Sequence, residues 1–344
     1  MFEDLISNNN QEEPKQEPKL KISFTQPAQQ PAEEPKEDTL PSGSLFSDIT
    51  PSDGATASVS VSQPTTNPVS NGGKLPDVFS LENICLSFPT ATGVFKLFDN
   101  FNLSIEDLPG QGQFFSILGA SGSGKSQILK LISGLSKPNS GTIKFYGEEI
   151  GVDHYIPMVF QQYSSFPWMT VLENVALPLV MQGVAKSEAN ARALELLRVV
   201  GLEDQAEKWA QYPTLSGGQL QRVSLARNLV CKSQILLLDE ATGALDIFAK
   251  RDMQKALLDV YYNSELDPTI INVTHDISEA VFLSNRIYIL RANPCSVYHV
   301  VDIDFGPGRR TDAIRKTTKY ADYVSLVEKL MDEVNKLNIQ NPKE

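Results

Sequence analysis

The sequence predicts an α/β fold built on a mostly parallel sheet, and three observations carry that expectation. Apolar segments with strand-like spacing alternate with helical ones through the second half of the 344-residue chain. One apolar run, Phe114–Leu118, leads straight into a glycine-rich loop and then a helix over Gln127–Leu135. The composition also changes sharply near residue 77, so the core has to come from the residues beyond that point.

Residues 1–76 read as a disordered, acidic, Pro-rich tail. Positions 1–73 hold no Tyr or Trp, 9 of the 21 prolines, and four lysines against eleven acids. With so little apolar surface, such a segment cannot offset the entropy of ordering its backbone. Its small apolar clusters, such as Phe2, Leu5 and Ile6, are either docking motifs or solvated interruptions.

From Val78 onward the elements come in order. Val78–Phe88 and Phe98–Ile105 are expected as strands, and the helix after Leu118 closes at the turn Lys137-Pro138-Asn139-Ser140-Gly141. Thr142–Tyr146 and Pro157–Phe160 read as strands, and Val171 to Leu229 is helical by its apolar spacing. Strands at Ile235–Leu238, Thr269–Val273 and Arg286–Leu290 are separated by helices at Phe248–Tyr262 and Ile277–Ser284. That order makes βαβ units. The stripe Tyr320, Tyr323, Leu326, Val327, Leu330, Met331, Val334 predicts a last amphipathic helix that packs on its own domain. The expected division is therefore a tail over 1–76, one domain over 77–303 with a helical part at about 170–228, and an extension over 304–344.

Charge and composition exclude several classes. There are 42 acids against 30 bases, a net charge of −12, which disfavours binding to nucleic acid or to anionic lipid by charge alone. No apolar run reaches the length of a membrane span, and Met1-Phe2-Glu3-Asp4 lacks the basic start of a signal peptide. Cys85, Cys231 and Cys295 have no metal-ligand spacing and read as reduced cytosolic thiols.

The loop Gly119-Ala120-Ser121-Gly122-Ser123-Gly124-Lys125-Ser126 fits G-x-x-x-x-G-K-[ST] between a strand and a helix. Glycines there turn successive N–H groups inward on phosphate oxygens, and the helix start adds a positive dipole end. Lys125 reaches terminal phosphates as a mobile cation, and the Ser126 hydroxyl offers a ligand to Mg²⁺. The loop alone defines a P-loop.

Three further stretches narrow the reading. Gln161 ends the strand Met158-Val159-Phe160-Gln161, and Leu215-Ser216-Gly217-Gly218-Gln219 opens an amphipathic helix. Ile235-Leu236-Leu237-Leu238-Asp239-Glu240 is an apolar strand ending in two acids, followed by Ala244-Leu245-Asp246 and Thr274-His275-Asp276. Together these resemble the nucleotide-binding subunit of ATP-binding cassette (ABC) transporters, over about Val78 to Ile303. The segment Gln161–Asn174 is most similar to the nitrate/sulfonate/taurine importer branch. Gln127 stands where the family usually carries Thr, and the acidic tail is outside the family pattern.

The resemblance implies an ABC-ATPase fold: a mostly parallel core sheet, an antiparallel β subdomain and an α-helical signature subdomain. It implies ATP and Mg²⁺, with Asp239, Ser126 and Gln161 around the metal and Gln127 near phosphate. Glu240 is then the base that polarises the attacking water, and His275 contacts the γ-phosphate and holds Glu240. Ser216, Gly217, Gly218 and Gln219 would face the γ-phosphate on a second copy, with Asp246 at the same junction. Phe88 is either the adenine-stacking ring or a residue of the strand core. The expected function is ATP hydrolysis driving solute import through separate transmembrane permease subunits, with a solute-binding protein in the full system. The chain would sit at the cytoplasmic face of the inner membrane as a peripheral subunit, touching lipid only through the permease. An exporter or lipid-extracting motor, and a soluble non-transport ABC ATPase, are the alternatives.

Overall fold

A computed structural model describes residues 61–62, 77–91, 93–107, 112–149, 156–263, 267–306 and 308–340. The strands are β1 (Val61–Ser62), β2 (Phe79–Thr90), β3 (Gly93–Ile105), β4 (Gln113–Gly119), β5 (Ser140–Phe145), β6 (Glu148–Glu149), β7 (Met158–Val159), β8 (Ile235–Asp239), β9 (Thr269–Val273), β10 (Arg286–Arg291) and β11 (Ser296–Asp302). The helices are α1 (Lys125–Ile132), α2 (Val171–Met181), α3 (Lys186–Val199), α4 (Gly217–Leu229), α5 (Ile247–Asn263), α6 (Ile277–Leu283) and α7 (Thr318–Gln340).

The larger sheet runs β1-β11-β10-β4-β9-β8-β7, and its five strands from β10 to β7 are all parallel. Every residue of β4 and β9 is buried, which is why these strands read as continuous apolar runs. The pleat still sorts their side chains in alternation. Phe114, Leu118, Leu236, Leu238 and Ile270 enter one core, while Phe115, Ile117, Ile235, Leu237 and Ile271 enter another. The second core joins α1 to the smaller antiparallel sheet, β3-β2-β5-β6, through Phe79, Leu81, Ile84, Phe98 and Phe101 against Ile128, Leu129, Leu131 and Ile132. The sheets therefore have the parallel core and antiparallel annex that the resemblance implies.

Three strands were not legible in advance: β1, β11 and the two-residue β6, whose exposed glutamates pair with Lys144 and Phe145. β11 lies antiparallel on β10 and is only half-buried along most of its length, so it carries no clear alternation. β1 pairs Val61 with Val301 and Ser62 with Val300. These two residues fall inside the stretch expected to be disordered. The open edge of β11 supplies the backbone partners. The rest of residues 1–76, including the apolar clusters of the tail, lies outside the described residues.

Between β7 and β8 the chain forms α2, α3 and α4 with a 3₁₀ turn at Glu203–Gln205. Thr170 with Glu173, and Ser216 with Gln219, make complete capping boxes that start α2 and α4. At the other end, Tyr320, Tyr323, Val327, Leu330 and Val334 of α7 are buried in the same core as α6. The stripe packs on its own domain. Among the described residues no helix is long and apolar enough to cross a membrane.

Candidate active site

Strands β4, β8 and β9 end side by side, at Gly119, Asp239 and Val273, and the site lies in the crevice outside those carboxyl ends. Gly122 and Gly124 have φ of +77° and +92°, a conformation that L side chains rarely adopt, and they curl the loop ahead of α1. A Cβ on Gly124 would also stand 3.0 Å from the Phe98 ring. The start of α1 has no side-chain cap and no acid in its first turn, which leaves its N–H groups for an outside acceptor. Ser123 is fully buried with its hydroxyl unpartnered. An uncapped helix start, an orphaned buried hydroxyl and a lysine beside them fit a phosphate chain.

Lys125 is 6% exposed, and its Nζ donates to the carbonyls of Gly119 (2.8 Å) and Ala120 (3.0 Å). Burial pushes its ammonium below the ordinary lysine range, and Glu240 and Asp239 pull the other way. Ser126 Oγ donates to Asp239 Oδ1 at 2.8 Å across 113 residues of sequence. Burial raises the Asp239 carboxyl, against the stabilising bond from Ser126. One hydroxyl and one carboxylate make a sparse all-oxygen donor set, of the kind that binds Mg²⁺ together with phosphate oxygens and water.

Glu240 takes a left-handed φ of +48°, an uncommon backbone state for a residue with a Cβ. Its amide donates to Val273 O (2.8 Å) and its carbonyl accepts from Gly243 N (2.9 Å), so the end of β9 and the turn's own Gly243 hold it. The Glu240 Oε2 then lies 3.3 Å from His275 Nδ1, with the imidazole largely exposed. The structure thus brings Lys125, Ser126, Asp239, Glu240 and His275 to one crevice.

Among the described residues, the other expected side chains make no hydrogen bond with this cluster. Gln161 is exposed in the loop after β7, and α4 grips that loop by Gln221 Nε2 donating to Phe160 O (2.7 Å) and Arg227 Nη1 to Ser164 O (2.8 Å). Ser216 is exposed at the α4 N-cap, its Oγ accepting from Gln219 N. A Cβ on Gly218 would meet Ala249 Cβ at 2.5 Å, so this glycine is what lets α4 lie against α5. Asp246 caps α5, accepting from Phe248 N (2.9 Å) and Ala249 N (3.0 Å). Phe88 pairs with Phe95 near the tip of the β2–β3 hairpin and is 39% exposed, so it is not a core residue. Gln127 donates Nε2 to Ser136 Oγ at 2.6 Å. With its amide engaged there, Gln127→Thr is expected to change ATP affinity by less than about tenfold. An isothermal titration showing a larger change would make this side chain a phosphate ligand.

Sequence reasoning missed a buried polar cluster behind the site. Glu279, 2% exposed on α6, accepts from the Thr242 hydroxyl, Gln254 Nε2 (3.0 Å) and Asn272 Nδ2 (3.3 Å). Lys250 lies 3.5 Å from Glu279 and donates to Asp276 Oδ2 at 2.6 Å. Only Asp276-x-x-Glu279 left a local mark, as a helix start in which Asp276 Oδ1 accepts from Glu279 N.

These features define a P-loop ATPase site. Residues 98–243 match the family model described as ABC transporter. The nitrate import ATP-binding protein NrtD of Synechocystis sp. is 42% identical over 237 residues, spanning 66% of this chain and 85% of that protein. The bicarbonate transport ATP-binding protein CmpD of the same organism is 35% identical over 263 residues, 75% of this chain and 89% of that one. A dimeric ATP-binding cassette solved in a post-hydrolysis state with ADP and Pi matches at a TM-score of 0.57 and 33% identity, over 66% of this chain and all of that one. The chain belongs to the ABC transporter ATP-binding family, close to its nitrate importer branch, and is an ATPase.

Proposed function

We propose that the chain is the motor of a nitrate/sulfonate/taurine-type importer, acting as two copies on separate permease subunits at the cytoplasmic face of the membrane. The observation that carries the chemistry is the convergence of Lys125, Ser126–Asp239 and Glu240–His275 at the ends of three parallel strands. The P-loop amides and Lys125 bind the phosphate chain of ATP. Ser126, Asp239 and Gln161 would hold Mg²⁺, which supplies positive charge across the phosphate oxygens. Glu240 polarises a water whose oxygen bonds to the γ-phosphorus as the bond to the β-bridging oxygen breaks. The water's proton passes to the Glu240 carboxylate, and ADP and phosphate leave. His275 orients Glu240 from Nδ1 and reaches the γ-phosphate with the rest of its ring. Phe88 offers its exposed face to adenine.

A second copy completes each site. The α4 N-terminus, with Ser216, Gly217, Gly218 and Gln219, presents a positive helix end to the γ-phosphate held by the other copy, with Asp246 beside it. The dimeric state of the solved cassette supports this arrangement. Tyr163 and Trp168, 47% and 68% exposed between β7 and α2, support a protein partner at that segment, where the permease would dock. The relative named for nitrate import favours import over export. A solute-binding protein would deliver the small anion from outside.

Detergent extraction of membranes carrying the tagged chain tests this reading. We expect integral membrane subunits to co-purify, and the complex with its binding protein to hydrolyse ATP faster with nitrate, bicarbonate or a small sulfonate. Recovery with ribosomes or DNA from a membrane-free fraction would overturn it.

A further inference from the structure

The residues after Ile303 lie against the back of the site. Arg310, 6% exposed, donates Nη1 to the carbonyl of Phe282 (2.8 Å) near the end of α6. Tyr320 OH donates to Ser278 O (2.9 Å). The Arg315 guanidinium lies over the Phe282 ring, 3.7 Å from its centroid, and its Nη2 donates to Gln254 Oε1 at 2.7 Å. Asp276 caps α6 directly after His275, so the extension grips the helix that carries the histidine loop.

The bond to Gln254 has a consequence for polarity. A primary amide has one carbonyl and one NH₂, and arginine can only donate. Arg315 therefore claims the carbonyl of Gln254 and turns its NH₂ toward Glu279, which accepts it at 3.0 Å. The same Glu279 oxygen accepts from the hydroxyl of Thr242, two residues after Glu240. Lys250 joins Glu279 to Asp276, one residue after His275. Burial alone would lower the Lys250 ammonium, but Glu279 and Asp276 outweigh it and hold it above its ordinary value. All the groups are buried or half-buried, where such networks fix geometry.

We propose that Arg315 is a positioning residue for hydrolysis, acting through Gln254 and Glu279 on the two loops that hold Glu240 and His275. This rests on the reading of Glu240 as the base and His275 as its holder. Arg315 itself bonds to Gln254 and packs on Phe282, so its effect passes through them. Without it the Gln254 amide is free to rotate, Glu279 loses a donor, and Thr242 and Asp276 are no longer tied to one anchor. The Glu240–His275 pair then samples poorer geometries, while the P-loop, on a different element, keeps its grip on ATP.

The test uses the full chain. Arg315→Ala should lower kcat about fivefold, within the range by which residues along coupled networks act at a distance. KM for ATP and nucleotide affinity should stay at wild-type values, and although Tm falls with the loss of a bond to a buried carbonyl, the chain should stay folded at the assay temperature. Arg315→Lys, which can still donate to Gln254, should recover at least part of the rate. Gln254→Leu should give the same kcat loss by breaking the next link. In combination with Arg315→Ala it should cost no more than the worse single change. An unchanged kcat, additive losses, or a rate that falls only in step with Tm would overturn the proposal. Glu240→Gln, measured beside these variants, separates the two levels. If that protein hydrolyses ATP normally, the assignment of the base fails; if it is inactive while the Arg315 losses are additive, only the relay fails.

Discussion

Glu240→Gln is expected to slow hydrolysis at least about a hundredfold, the usual weight of a positioned general base. ATP and Mg²⁺ affinity should remain, because the residues proposed to bind them, Lys125, Ser126 and Asp239, sit on other positions of the crevice. The amide keeps the shape of the carboxylate, so the turn at Glu240, held through its backbone bonds to Val273 and Gly243, should survive. What is lost is the acceptor for the water's proton. Removing a negative charge beside the γ-phosphate should also favour the ATP-filled pair of chains. Light scattering should show a dimer with ATP and a monomer without it. Single-turnover hydrolysis at the wild-type rate would remove Glu240 from the role given to it.

Ser216→Arg, placed in that Glu240→Gln background, is expected to abolish the ATP-dependent dimer while leaving ATP bound. Ser216 is exposed at the start of α4, where a bulky cation would occupy the place proposed for the partner's γ-phosphate. The change also destroys a capping box, which by itself costs about 1 kcal/mol. Ser216→Ala separates the two effects, since it loses the cap but adds no bulk, and should still dimerise. Lys125→Ala should lose nucleotide binding itself and with it the dimer. A Ser216→Arg protein that pairs as before would remove the shared site, and Glu240 and His275 would have to act within one copy.

The two predictions draw on features of different legibility. The loop from Gly119 to Ser126 could be read at once, because strand, glycines, lysine and helix are consecutive. The hydrogen bonds that shape it are local as well, such as Ser123 N to Ala120 O at 3.1 Å. The start of α4 was equally plain, since Ser216 and Gln219 cap one helix three residues apart. Glu240 was legible as a residue at a strand end, but not its left-handed backbone or its 3.3 Å approach to His275. For Phe88 the sequence left two readings, and its exposure near the hairpin tip removed the core one. The amide of Gln127 went to Ser136, a partner that nothing in the motif announces.

By itself the sequence determined the buried strands as apolar runs, the start of α4, and the order of the phosphate-binding and acidic segments. These depend on backbone geometry and on residues within a few positions of one another. Only the tertiary structure decided that β4 lies between β10 and β9, which sets Ser126 against Asp239. It alone put Arg315 of the extension on Gln254, 61 residues earlier in the chain. The physical reason is that a buried polar group must find a partner wherever the crossovers of the sheet bring one. Glu279 could have been satisfied by many side chains; packing of α5, α6 and the extension around one carboxylate chose Thr242, Gln254 and Asn272.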